Sequence, residues 1–342
     1  MIRFLVVGLL LLTGTVAQAV GQTREIYTIR DISVDERAGT VIEAQQMAFA
    51  SARIAGAYRL IDKLTMPEDR AGKITPGMID VETANRLAAA VDVEEETRGG
   101  GRYVGKIAVV YNPAMVRAFL DELSIPYVDR PAPAAALFPV SDRFDSFAWE
   151  SAWPDQSRGH LAPYTVARST GASPSSGWYE LQSSVDALGA RRAVKAVLTG
   201  TPGAYRVALV SVTAAGETEL GTTRPSATVE QAVQAAGNLM DAVWKDQSIV
   251  RTDVRTPARA TVFFTSLVEW NTLRTALARS PLVFDFAIEG LSREGAVVKF
   301  VFAGDQQRLV GNLRERGVTL DPDMLGWVMT SAVSQMPALS DE

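Results

Sequence analysis

The chain is 342 residues long, 47% hydrophobic and 21% charged, with 34 Lys and Arg against 39 Asp and Glu, no cysteine and one histidine. This is the composition of an ordinary globular protein of two or three domains, and a net charge of −5 without a basic tract excludes nucleic acid and anionic lipid as expected partners. The lack of cysteine excludes disulfides, thiolate nucleophiles and Cys-ligated metals, and one imidazole cannot supply a metal site that needs two.

Residues 1–19, MIRFLVVGLLLLTGTVAQA, have the form of an export signal. Arg3 is the positive n-region, Phe4 to Leu12 the apolar run, and Ala17-Gln18-Ala19 the small-x-small pattern that signal peptidase cuts after. The exported chain is therefore expected to start at Val20 and to reside in the periplasm. The run is shorter than the roughly 18 to 20 apolar residues that span a bilayer, so no transmembrane segment is expected after cleavage. No cysteine follows the cleavage site to carry a lipid anchor.

An N-terminal unit is predicted over residues 24–129. Glu25 to Val34 reads as a strand, and Thr40 caps a helix to about Leu64 in which Val41, Ala44, Met47, Ala48, Ile54, Ala55, Tyr58 and Ile61 recur at three- and four-residue steps. Asp80 or Thr83 caps a second short helix through Ala90. Val91 to Thr97 and Arg102 to Tyr111 pair across Gly99-Gly100-Gly101, and Pro113 opens a helix through Leu123. The stretch Arg130-Pro131-Ala132-Pro133 with Ala134 to Ala136 reads as a connector.

The middle unit, 135–250, shows no clear period over Asp142 to Pro174. A helix over Gly177 to Leu188 is then followed by a meander of Arg192 to Thr199, Ala204 to Thr213 and Glu217 to Thr223, and by a helix over Thr228 to Trp244. The third unit, 256–321, has a strand at Thr261 to Phe264, a helix marked by Trp270, Leu273 and Leu277, and alternating strands around Phe284 to Ile288 and Val298 to Phe302. Asp305 caps a helix closed by Gly317, and Val318 to Leu320 adds an edge strand. That β-α-β-β-α-β order is the split ferredoxin-like one. Residues 322–342 carry Met324, Leu325, Trp327 and Val328 at helical spacing and are expected to end in a tail helix. The fold class is α+β, built as three small open-faced α/β sandwich units.

No catalytic constellation is visible, and the chain is not expected to be an enzyme, to hold a metal or to use a cofactor. His160 has Ser157, Arg158 and Gly159 beside it but no nucleophile elbow, and reads as a surface-loop histidine. Glu94-Glu95-Glu96 lies in a predicted strand, where only Glu94 and Glu96 share a side, and reads as a solvated edge. Gly99 to Gly101 and Gly200 to Gly203 fall between strands, without the helix N-terminus that completes a phosphate cradle. One alternative binding site stands out, with Trp149, Trp153 and Trp178 near Asp142, Asp145, Glu150 and Asp155, a combination that can stack a saccharide.

Several stretches resemble a known family. The helix Ala48-Phe49-Ala50-Ser51-Ala52-Arg53 runs on to Leu60-Ile61-Asp62-Lys63-Leu64-Thr65. Far downstream come Trp270, Leu273 and Leu277, Val298 to Asp305, Leu309 and Leu313. From about residue 25 to 320 this pattern resembles an uncharacterised proteobacterial envelope family, domain of unknown function 2066. The middle unit is similar to the TolB amino-terminal domain and to small domains of the penicillin-binding-protein activator lipoproteins and the flagellar T-ring protein. The resemblance implies a protein that binds other envelope proteins and catalyses nothing, and it supplies no catalytic residue. The lipidated cysteine of the activator lipoproteins is absent here. The expected function is envelope assembly or maintenance through protein binding, for which an exposed sheet edge such as Glu217 to Thr223 could accept a partner strand. The alternatives are a peptidoglycan or carbohydrate binder or weak hydrolase over Asp142 to Trp178, and a small-molecule sensor.

Overall fold

The computed structural model describes residues 24–141, 146–251, 254–293, 295–323 and 326–332. The expected export signal lies outside them, as do Asp142, Asp145, Met324 and Leu325. The chain divides into two compact units, Met1–Pro131 and Ala132–Glu342. Among the described residues no helix is long and apolar enough to cross a membrane. The architecture is α+β, with one sheet in the first unit and two in the second.

In the first unit β1 (Thr28–Arg37), β2 (Ala88–Gly99) and β3 (Arg102–Tyr111) form an antiparallel sheet of order β1-β3-β2. Across it lies α1 (Val41–Leu64), whose start is fixed by Thr40 and Glu43: the Thr40 hydroxyl accepts the Glu43 N–H, and the Glu43 carboxylate accepts the Thr40 N–H. Asp80 caps α3 (Val81–Leu87), which follows the short α2 (Pro67–Arg70), and Asn112 with Pro113 opens α4 (Pro113–Glu122).

What brings α1 close to the sheet is a row of small residues one turn apart: Ala44, Ala48, Ala52 and Gly56, all buried. At Gly56 a methyl group would sit 2.4 Å from the Tyr111 hydroxyl oxygen and 2.9 Å from Ile32 Cδ1. The Tyr111 hydroxyl is itself held by donating to the Arg53 carbonyl oxygen at 2.6 Å, and burial raises its pKa well above the ordinary phenol value.

The second unit opens with β4 (Ala135–Val140), buried along its whole length, between β5 (Tyr164–Val166) and β6 (Ala193–Thr201), both parallel to it. The expected meander completes this sheet with β7 (Ala204–Thr213) and β8 (Gly216–Thr222), giving the order β5-β4-β6-β7-β8. Here the expectation of an open-faced sandwich fails. Phe138, Ala193 and Val212 pack with Leu181 and Val185 of α6 (Trp178–Ala187) on one side. Alternation turns Val194, Leu209 and Ser211 to the other side, where α7 (Val229–Ser248) crosses β7 and β8. Parallel strands are stable when both faces are covered, and β4, reading Ala-Ala-Leu-Phe-Pro-Val, carries apolar residues on both.

The third sheet contains β9 (Arg255–Phe263), β10 (Val283–Leu291), β11 (Gly295–Ala303), β12 (Val318–Asp323) and β13 (Gly326–Ser331), covered on one side by α8 (Leu267–Ala278) and α9 (Gln306–Arg314). The two helices and four of the strands follow the expected β-α-β-β-α-β order, and Ser266 and Asp305 cap the helices. The order in space is β10-β11-β9-β13-β12, so a fifth strand is inserted where the split ferredoxin-like arrangement would pair the fourth with the first. That strand corrects the expected tail helix. Trp327 and Val328 belong to β13, which runs parallel to β9 and antiparallel to β12. Trp327 and Met329 turn to the core, Val328 and Thr330 away, a period of two that the short apolar run does not distinguish from a helix turn.

Gly56→Ala should destabilise the first unit by about 1–3 kcal/mol, despite the better helix propensity of Ala, because the methyl has no room. Urea unfolding of the two proteins reads this, and a Gly56→Ala protein as stable as wild type would contradict the close helix-to-sheet contact.

Candidate functional site

The tryptophans of the expected binding segment are core residues. Trp149, on α5 (Ser146–Ser151), and Trp153 are both buried; their rings meet edge to face at 5.2 Å, and Trp153 meets Tyr164 in the same way at 5.5 Å. The Trp149 indole N–H donates to the Ala196 carbonyl oxygen at 3.0 Å. Trp178 is half-buried and packs beside the core under α6. Two of the three rings are closed to a saccharide. The neighbouring acids bind the chain itself. Arg168 donates to Asp155 Oδ1 at 2.9 Å and to the carbonyls of Glu150 and Trp153, and the Glu150 carboxylate accepts the Ser169 N–H.

His160 is not a free surface-loop residue. Its Nδ1 lies 2.8 Å from Asp241 Oδ2 on α7, and Asp241 Oδ1 accepts the Ala162 N–H at 2.8 Å. The imidazole sits on Gly237, one turn before Asp241, where a Cβ would come within 2.9 Å of His160 Cε1. An aspartate on Nδ1 is how a catalytic histidine is oriented, but the hydroxyl nearest in sequence is committed elsewhere: Ser157 Oγ accepts the Tyr164 N–H at 2.8 Å. The pair anchors residues 157–164 to α7. Tyr164 beside it is pushed up to about 12, first by burial and then by the charge of Asp241. A glycine and an aspartate one turn apart on a helix were the only hint of this seat in the sequence.

The strongest polar cluster is one the sequence did not reveal. Arg192, just before β6, pairs through Nη1 with Glu315, just after α9, and Ser211 of β7 donates to the same carboxylate at 3.1 Å. Both charged side chains are buried. Around them Arg316 lies over the Trp244 ring at 5.7 Å and donates to Asn312 Oδ1 at 3.3 Å, which also accepts from Ser280. Arg308 donates to the carbonyls of Asp246 and Ile249 at the end of α7. Beside the pair a cavity of about 10 Å³, lined by Arg192, Met240, Trp244, Gln247 and Glu315, has room for one water and for no organic substrate. The arrangement is a joint between the second and third sheets, built from charge.

Lys195 is buried in the same spirit. Its ammonium donates to the Pro174 and Ser176 carbonyls and to Glu217, each near 2.9–3.0 Å, fixing the loop before α6. Glu94, Glu95 and Glu96 are likewise taken up singly, by the Asp31 N–H, by Lys106, and by Arg98 with the Tyr103 hydroxyl. Among the described residues no group of three His, Asp or Glu side chains is placed to hold a metal. The edge strand β8 is where the sequence placed it, but a bulge opposite Leu209 and Val210, with Gly221 at φ 122°, interrupts its ladder and makes it a poor template for an added strand.

Comparison with family models, curated proteins and solved structures gives no match for this chain.

Glu315→Ala leaves Arg192 buried without its counter-charge and should cost about 3–5 kcal/mol, whereas Arg192→Met with Glu315→Leu should recover most of that loss. Denaturant unfolding of the three proteins decides it; a Glu315→Ala cost below about 1 kcal/mol would mean that the pair carries no structural weight.

Proposed function

We propose that this chain is an exported periplasmic protein, not an enzyme, that acts in assembly or maintenance of the cell envelope by binding other envelope proteins. The observation that supports this best is where the free polar surface lies. Over residues 33–37, 95–99 and 102–106 the first sheet turns one side to solvent, and its charges are spread in cross-strand pairs: Asp35 with Arg102 and Glu95 with Lys106. The side of the third sheet away from its helices has the same character, with Glu289 between Arg259 and Lys299. Flat faces of alternating sign suit another macromolecule, since a small substrate needs groups converging in a cleft. Faces replace the edge strand β8 as the docking surfaces. The export pattern of residues 1–19 and the resemblance to envelope families support the compartment.

The reading is tested by crosslinking a tagged copy in cells and capturing it from the envelope fraction. One envelope protein at near-stoichiometric yield is expected, with capture falling at least tenfold in Arg102→Glu, Lys106→Glu while the circular dichroism spectrum stays unchanged. A chain that captures nothing and turns over a defined substrate would overturn it.

A further inference from the structure

The buried ion pair leaves hydrogen-bonding capacity over. Arg192 meets Glu315 through Nη1, but its Nε–H, also buried, has no hydrogen-bond partner among the described residues. A donor in that position loses its water on folding and gains nothing in return, and native proteins satisfy almost all such atoms with a protein acceptor or with ordered water. The cavity of about 10 Å³ lies against this same side chain. Its other polar walls are the Glu315 carboxylate and, from α7, the Gln247 amide; Met240 and Val243 supply apolar wall.

Size and charge together select what fits. The volume is that of one water-sized particle. A monatomic anion would suit Arg192 taken alone, but Glu315 lines the same space and repels it. A metal cation would suit Glu315 but would meet the guanidinium and its free donor. Water answers both, because it accepts from one neighbour and donates to two. The Glu315 carboxylate has room to accept: Arg192 and Ser211 both bond Oε2, and a carboxylate offers about four lone-pair sites. With Gln247 that makes three polar neighbours, the usual number for a buried water.

We propose that a single ordered water is the third member of the Arg192–Glu315 joint, accepting the Arg192 Nε–H and donating to the Glu315 carboxylate and the Gln247 side-chain oxygen. It completes the hydrogen bonding that makes a buried charge pair tolerable. It also ties α7 to the pair through a polar bridge, where Met240 and Val243 offer only apolar surface. The site is specific for a neutral molecule that both donates and accepts. The proposal stands independently of the protein-binding reading.

The test is a crystal structure of the chain at a resolution that shows ordered water, with and without a bromide soak. One solvent peak is expected within about 3 Å of Arg192 Nε, Glu315 and Gln247, unchanged by bromide. Clear density with nothing in the cavity would overturn the proposal, as would an anomalous bromide peak there, which would assign the site to an anion. Val243→Ile gives a second reading, since it adds one methylene at the cavity wall with little change in helix propensity. If the water is present, the methylene displaces it and strands the Arg192 donor, so the solvent peak vanishes and the denaturant midpoint falls. If the cavity is dry, the same methylene fills it and the midpoint rises, which would contradict the proposal.

Discussion

The second unit depends on a buried ion pair. Arg192 and Glu315 come from segments 123 residues apart, one entering the middle sheet and one leaving the last helix of the final sheet, and both side chains are buried. Taking two charges out of water costs more than their attraction returns unless further hydrogen bonds are supplied, and here Ser211 supplies one. The value of such a pair is discrimination. Any shift of one sheet against the other leaves a buried charge alone, so the alternatives are removed by a penalty that apolar packing does not impose. Arg308 on the end of α7 and Arg316 on Trp244 extend the joint with cations that reach from α9 and from the residues just after it.

What the sequence made legible was local. Thr40, Asp80 and Asp305 cap helices as read, because short polar side chains before an apolar period have one good use for their oxygen, and the structure adds Asn112, Thr228 and Ser266 in the same role. The β6–β7–β8 meander followed from its tight turns. What was not legible was pairing at long range. Nothing in Gly-Trp-Val-Met-Thr-Ser says that it will slide between β9 and β12, since a short apolar run fits a helix or a strand equally and the choice is made by the space beside β9. That space also needs Gly326, whose Cβ would lie 2.6 Å from the Arg259 carbonyl oxygen. Parallel β4 and β5 hid for a related reason, flanking a stretch rich in Trp and Pro in which the sequence shows no clear period.

The candidate site was the least legible part. Tryptophans near carboxylates look the same in sequence whether they face a sugar or each other, and only burial separates the two. The lone histidine misled in the opposite sense, because its partners Gly237 and Asp241 lie some eighty residues away on α7. The joint at Arg192 and Glu315 had no signature at all, since a charged residue at the end of a strand or helix is ordinarily solvated. In each case the sequence showed the residue type, and the third dimension decided its role.

With the buried charges spent on structure, the charged groups that reach solvent include the cross-strand pairs of two sheet faces, Asp35 with Arg102 in the first unit and Glu289 with Arg259 and Lys299 in the second, which the buried ion pair makes one body. Amide hydrogen exchange compared between wild type and Glu315→Gln tests that central claim most directly. If the pair joins the two sheets, protection falls together in β6, β7, α9 and β12. Loss confined to the turn around Asn312 to Gly317, with β6 and β7 unchanged, would show that the two sheets hold their places without it.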